Sequence, residues 1–127
     1  MKNLTASLFI SALIFAGCNV VGNDDTEVEI RVQNTSSFTI EGLRIATGGG
    51  DFIYESLQPG EVSDYKLYDY SYSYFFVSFS IDTNNFVQQP IDYVGESKIK
   101  NGKYTYRISI QTFEDRPDYF IGDLKKD

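Results

Sequence analysis

Two Ser-x-x-Lys strings, Ser63-Asp64-Tyr65-Lys66 and Ser97-Lys98-Ile99-Lys100, are the first places to look for covalent chemistry. A serine activated by a lysine three residues on needs a helix, which brings both side chains to one face. The first string falls on an alternating stretch that reads as a strand, where residues three apart point to opposite faces. The second falls in a turn, and no partner motif follows either. Gly48-Gly49-Gly50 lacks the lysine and the following helix that a phosphate loop requires. The pairs Asp24/Asp25 and Asp115/Asp118 have the composition for acid–base work, but eighteen acidic residues on a short chain produce such neighbours by chance. Asp51, Asp82, Asn84 and Asn85 offer oxygens that a hard cation such as calcium would accept if their loops converged. No EF-hand pattern is present, so the sequence predicts no metal and no catalytic residue.

The 127 residues contain no histidine, no tryptophan and a single cysteine, Cys18. A histidine general base, a His/Cys zinc site and an intrachain disulfide are thereby excluded. Eleven basic residues against eighteen acidic ones give a net charge of −7, which argues against nucleic acid as a partner. The length fits one domain, and 42% hydrophobic with 16% aromatic residues is enough to build a core.

Two surface features remain. Tyr68, Tyr70, Tyr72, Tyr74 and Phe76 recur at a period of two. If Phe75, Val77 and Phe79 point inward, then Tyr70, Tyr72, Tyr74 and Phe76 form a row on the other face. Such a row could stack on a glycan or contact another envelope protein. The competing reading is packing beneath a loop or the C-terminal tail, for which only residues 113–127 look free. The second feature is basic: no acid lies between Glu96 and Glu114, while Lys98, Lys100, Lys103 and Arg107 fall in that interval. These cations could meet lipid phosphates or an acidic partner, or simply form a solvated strand edge.

The N-terminus supplies an address. Lys2 is followed by an apolar run over residues 8–16 that is too short for a membrane span, which needs roughly 20 residues. Phe15-Ala16-Gly17-Cys18 then resembles a bacterial lipobox, with phenylalanine where leucine is more usual. The resemblance implies cleavage after residue 17 and acylation of Cys18, so the only cofactor would be covalent lipid. Losing Lys2 leaves 10 basic against 18 acidic residues, a net of −8. Asn19 is not the aspartate of an inner-membrane retention signal, and the acidic run 23–27 loosely resembles an export signal of Bacteroidota lipoproteins. The implied location is the outer membrane, with the periplasmic or outward face left open. Residues 18–26 read as an acylated cysteine and acidic tether ahead of a domain over 27–127.

The body alternates with a period of two. Val28, Ile30 and Val32 mark one strand, and a phase shift at Glu41-Gly42 marks a β-bulge. Residues 47–51 read as a flexible loop, 52–57 and 62–67 as short strands, and Gln58-Pro59-Gly60-Glu61 as a type II turn. Residues 72–82 form the strongest strand, 83–85 a turn and 86–91 a returning strand. Asn101-Gly102 reads as a hairpin turn before a strand carrying Tyr104, Tyr106, Ile108 and Ile110. Residues 113–127 dock as a final extended segment.

Seven to eight short strands predict an all-β fold, a single antiparallel sandwich. Residues 57–61 and 101–105 resemble pieces of immunoglobulin-like and transthyretin-like bacterial modules, and the chain from the signal through the aromatic strands is similar to small Bacteroidota lipoproteins of unassigned function. The functional expectation is a non-catalytic binding or structural module of the cell envelope, anchored to the membrane by lipid. The alternative is an accessory carbohydrate-binding module that uses the Tyr/Phe row.

Overall fold

A computed structural model describes residues 26–93 and 95–127. The expected leader, the acylation site Cys18 and the acidic run 23–25 lie outside the described residues. Eight strands are present and, among the described residues, no helix: β1 Val28–Asn34, β2 Glu41–Thr47, β3 Gly50–Ile53, β4 Lys66–Tyr68, β5 Phe76–Ile81, β6 Asn84–Gln88, β7 Gly102–Gln111 and β8 Tyr119–Lys126. They form two four-stranded sheets, ordered β4-β1-β7-β8 and β3-β2-β5-β6. The expected sandwich is therefore present. An immunoglobulin constant domain puts its first, second, fourth and fifth strands in one sheet. Here β1 and β2 lie in different sheets, so the strand order is not that of an immunoglobulin constant domain.

One strand pair departs from the antiparallel expectation. β1 and β7 run parallel, from Val28 beside Gly102 to Asn34 beside Ile108. The cause is the connection 89–101, which carries the chain from the end of β6 across to the start of β7 in the other sheet. Asn101-Gly102 therefore starts a strand and makes no hairpin. Parallel neighbours need a long crossover between them, and the chain over 35–101, which passes through the other sheet, provides it.

The period-two pattern builds the core. Val28, Ile30 and Val32 of β1, Leu43 and Ile45 of β2, Val77 and Phe79 of β5, and Tyr106 and Ile108 of β7 all face inward and are buried. Asn34 is fully buried too, and its amide is satisfied: Nδ2 donates to the carbonyls of Phe38 (2.6 Å) and Leu57 (3.0 Å), while Oδ1 accepts from Ser36 N and Oγ. These bonds hold the turn that follows β1. The bulge is where expected, with Gly42 at φ +60 and a register shift between Glu41 and Arg44. The 58–61 turn has Gly60 at φ +83 and a Glu61 N to Gln58 O bond of 3.0 Å.

Several boundaries move. Residues 47–51 are no loop but a tight hairpin, in which Thr47 pairs with Gly50 and Gly49 takes φ +74. β3 stops at Ile53, because Tyr54 turns into the core and Leu57 keeps only a single bridge to Ile40. β4 is likewise confined to Lys66–Tyr68, with Val62 bridging Gln33 alone. β5 starts only at Phe76, and its turn to β6 is Asp82-Thr83, one residue earlier than expected, with Asp82 at φ +52. The tail does form an extended segment: β8 pairs with β7 from Tyr104–Lys126 to Gln111–Tyr119.

The sandwich thus has a near end and a far end, roughly 20 Å apart by the rise of seven-residue β1. Thr26, the Gly48-Gly49 turn, the starts of β5 and β7, and the connection 89–101 gather at the near end. Asn34, the 58–61 turn and residues 112–118 lie at the far end.

Candidate functional site

The expected aromatic row is broken. Only Phe76 sits on the outer face of its sheet, where the Arg44 guanidinium lies 5.1 Å from its ring centre. Tyr70, Tyr72 and Tyr74 belong to the irregular segment before β5 and collect at the near end. There they meet Tyr93, a residue the periodicity did not single out. Tyr93 stacks on Tyr72 (centroids 4.6 Å, 23° between planes) and on Tyr74 (5.5 Å, 11°). Tyr70 packs edge-on against Tyr72 at 5.9 Å. All four rings are half-buried. They are neither an open row nor core, and the cover is the connection 89–101, not the tail. Tyr93 is the one aromatic in an otherwise polar and aliphatic stretch after Pro90, which is the signal that could have found it.

The connection is fastened at several points. Tyr74 donates to the Asp92 carbonyl (2.8 Å), Ile99 N to the carbonyl of buried Ser71 (2.8 Å), and Tyr104 to the Lys100 carbonyl (2.6 Å). Burial raises the Tyr93 and Tyr74 hydroxyl pKa values, and Glu96 raises that of Tyr74 further, so both phenols stay protonated near neutral pH. Tyr74 and Tyr93 therefore meet as neutral phenols.

The basic residues do not make one patch. Lys98 lies over the Tyr70 ring at 4.0 Å, and Lys100 is exposed in the connection. Lys103 and Arg107 sit on the outer face of β7, where neighbouring strands bring acids that the sequence interval lacked. Lys103 is 3.9 Å from Glu29 of β1 and Arg107 is 3.5 Å from Asp123 of β8. Further out, Asp127 accepts from Thr105 (2.5 Å) and from Tyr65, and Arg31 stands 3.7 Å away. Those partners hold the Asp127 carboxyl below its usual range. This face is a paired charge network.

The remaining candidates separate in space. Asp51 makes a two-pronged bond with Arg44 (2.8 and 2.6 Å), which lowers its pKa. It lies opposite Ala46, which itself pairs with Phe76 at the start of β5, whereas Asp82 follows the end of β5. Six residues of strand, roughly 20 Å, separate them, so no oxygen cage forms. Ser63 Oγ accepts from Val32 N and donates to the Asp64 carbonyl, while Lys66 lies by Tyr54. Asp118 caps Phe113 N at 3.1 Å.

A groove that the sequence reading missed opens along the side of the sandwich. β6 and β8 are edge strands of opposite sheets, and between them lies a cavity of about 500 Å³ lined by Asn85, Phe86, Val87, Gln88, Tyr119 and Phe120, among others. It runs toward the far end, where Arg116 and Asp118 border an adjoining hollow of about 350 Å³. Most of its lining is polar, but Phe86 and Phe120 lie at its base, packed on buried Phe79, which stacks on Phe86 (5.1 Å) and meets Phe120 edge-on (5.0 Å). Val87 and Tyr119, at its rim, are 59% and 48% exposed. Such a groove depends on two strands far apart in sequence, so no local pattern announces it. Compared with protein-family models, with curated proteins and with solved structures, the chain gives no match.

Proposed function

We propose that this chain is a lipid-anchored, non-catalytic module of the bacterial outer membrane that holds an extended segment of another envelope protein in the groove between β6 and β8. The observation that carries this reading is the groove itself. Two strand edges that carry no further strand among the described residues flank a mostly polar groove with Phe86 and Phe120 at its base, and an extended peptide can add to such an edge through main-chain hydrogen bonds while its alternate side chains meet those rings. The amide of Asn85 on the rim suits a neutral polypeptide, while that of Gln88 is already bonded to the Phe75 carbonyl (3.3 Å). Support for the anchor is the lipobox-like Phe15-Ala16-Gly17-Cys18. A glycan stacked on the tyrosines is the weaker alternative, because Tyr93 already stacks on Tyr72 and Tyr74 and Tyr70 is covered by Lys98.

The test has two parts. Cys18→Ser should remove acyl chains from the purified protein and shift it from the membrane fraction. Val87→Lys changes an exposed rim residue and should leave the thermal midpoint in place, whereas Tyr119→Lys also gives up the stacking of Tyr119 on Phe113 (5.4 Å). Where an envelope protein captured with the wild-type chain protects the β6 and β8 edge amides in hydrogen exchange, both variants should abolish that protection. Unchanged protection in both variants would place the partner elsewhere.

A further inference from the structure

The connection 89–101 does more than cover the tyrosines. It holds Ile91 at 102% exposure, the most exposed of the large apolar side chains among the described residues. The residues around it are not loose: Asp92 and Ile99 are hydrogen-bonded to the body, and Tyr93 is stacked on Tyr72 and Tyr74. An isoleucine held outward by a fastened connection, beside half-buried tyrosines and the lysines Lys98 and Lys100, has the composition of a membrane-interface contact. Tyrosine and lysine suit that layer because each has an apolar body and a polar tip.

The direction in which the chain leaves the sandwich says what this end faces. Thr26 Oγ1 donates to the Asp69 carbonyl at 2.9 Å, and Gly102 N to the Glu27 carbonyl at 3.3 Å, so the N-terminal segment departs from the same end that bears Ile91. Seven residues separate Cys18 from Thr26, a reach of at most roughly 28 Å. An acylated Cys18 therefore keeps this end close to the lipid headgroups. Charge does not drive the contact. Asp92 and Glu96 cancel Lys98 and Lys100, and the whole chain is acidic.

We infer that the near end docks on the bilayer surface, with Ile91 entering the headgroup layer beside the Tyr72–Tyr93–Tyr74 stack. The sandwich is thereby held upright, with the β6–β8 groove running along its side and the far end pointing away from the membrane. This rests on the anchor reading for its orientation, not for the surface chemistry.

The absence of tryptophan supplies the experiment. Ile91→Trp and Phe38→Trp each place one tryptophan in the full chain, at the near and far ends. The purified chain is reconstituted into phosphatidylcholine vesicles whose acyl chains carry bromine as a quencher. Quenching of Ile91→Trp with Phe38→Trp unaffected supports docking. Equal quenching of both, or of neither, overturns it. Ile91→Asp, in chain mixed with preformed vesicles, should weaken partitioning roughly ten- to hundredfold, the value of one buried isoleucine. A response that needs phosphatidylglycerol would mean charge-driven binding and would also overturn the inference. Mass spectrometry of the same sample tests the anchor separately. If no acyl chain is found, that reading fails, and the two reporters in chain mixed with vesicles still decide the docking.

Discussion

The hydroxyl oxygens of Tyr54 and Tyr68 lie 3.1 Å apart between the two sheets, and each reaches toward the backbone of the sheet opposite its own. Tyr54, just after β3, donates to the Ile30 carbonyl of β1 at 2.9 Å, and Tyr68 of β4 stands 3.3 Å from the Ile45 carbonyl of β2. Each hydroxyl has one proton. Tyr68 donating to Tyr54, and Tyr54 to Ile30, satisfies both donors and makes the Ile45 contact secondary. Both residues are almost fully buried on the side of the sandwich closed by the short edges β3 and β4.

The pair should behave as a unit. Tyr54→Phe and Tyr68→Phe should each destabilise by about 1–2 kcal/mol, as expected for a buried hydrogen bond whose partner is left behind. The double variant should cost less than the two singles together, because it removes both polar groups at once. Urea unfolding of the four proteins measures this, and strict additivity would show that the hydroxyls act independently.

Alkali should unfold the protein through its buried phenols. Burial raises the pKa values of Tyr54, Tyr68 and Tyr106 far above that of a free tyrosine. Because the folded values exceed the unfolded one, their contribution is intact below about pH 10 and is lost as pH rises and the unfolded chain alone ionises. Phenolate absorbance should show exposed tyrosines titrating first and the buried ones only with unfolding. Tyr54→Phe should flatten the alkaline slope of stability. One smooth titration of all ten tyrosines in the folded state would contradict this.

Tyr106 and Gly122 are fitted to each other. A Cβ built on Gly122 would lie 1.7 Å from the Tyr106 hydroxyl and 2.2 Å from the adjoining ring carbon, so β8 passes the ring only because residue 122 lacks a side chain. Gly122→Val should destabilise by about 1–3 kcal/mol through overpacking. Tyr106→Leu in the same chain should recover part of that loss. The Tyr106 hydroxyl has no hydrogen-bond partner among the described residues, so Tyr106→Phe should be neutral or stabilising. Thermal midpoints of these variants decide both points.

What the sequence disclosed, it disclosed through period two and turn chemistry. The alternations around Val28–Val32 and Tyr104–Ile110, the glycine at position 60 and the shift at Glu41-Gly42 each act within a few residues, and each holds in the fold. What it concealed depends on pairing at a distance. Lys103 and Arg107 look unopposed along the chain, yet Glu29 and Asp123 reach them from adjacent strands. The tyrosine row failed for a related reason. Alternation continues through Tyr70, Tyr72 and Tyr74, but these residues form no ladder, and a local pattern cannot register whether a neighbouring strand is present. Asn101-Gly102 carries a hairpin signal with no partner strand before it.

Tyr93 should be the residue on which the near end depends most. It touches both Tyr72 and Tyr74, so Tyr93→Ala removes two stacked contacts, each worth about 0.5–1.5 kcal/mol. Tyr74→Phe keeps its stacking and loses only the bond to the Asp92 carbonyl, a smaller effect of about 1 kcal/mol. If Tyr93 fastens the connection, its loss should speed exchange of the Ile99 amide, which is bonded to Ser71, while the Tyr106 amide in the middle of β7 stays protected. Hydrogen exchange followed residue by residue distinguishes this local loosening from global destabilisation. Equal acceleration at Ile99 and Tyr106 would show that the stack belongs to the cooperative core and that the connection has no separate stability of its own.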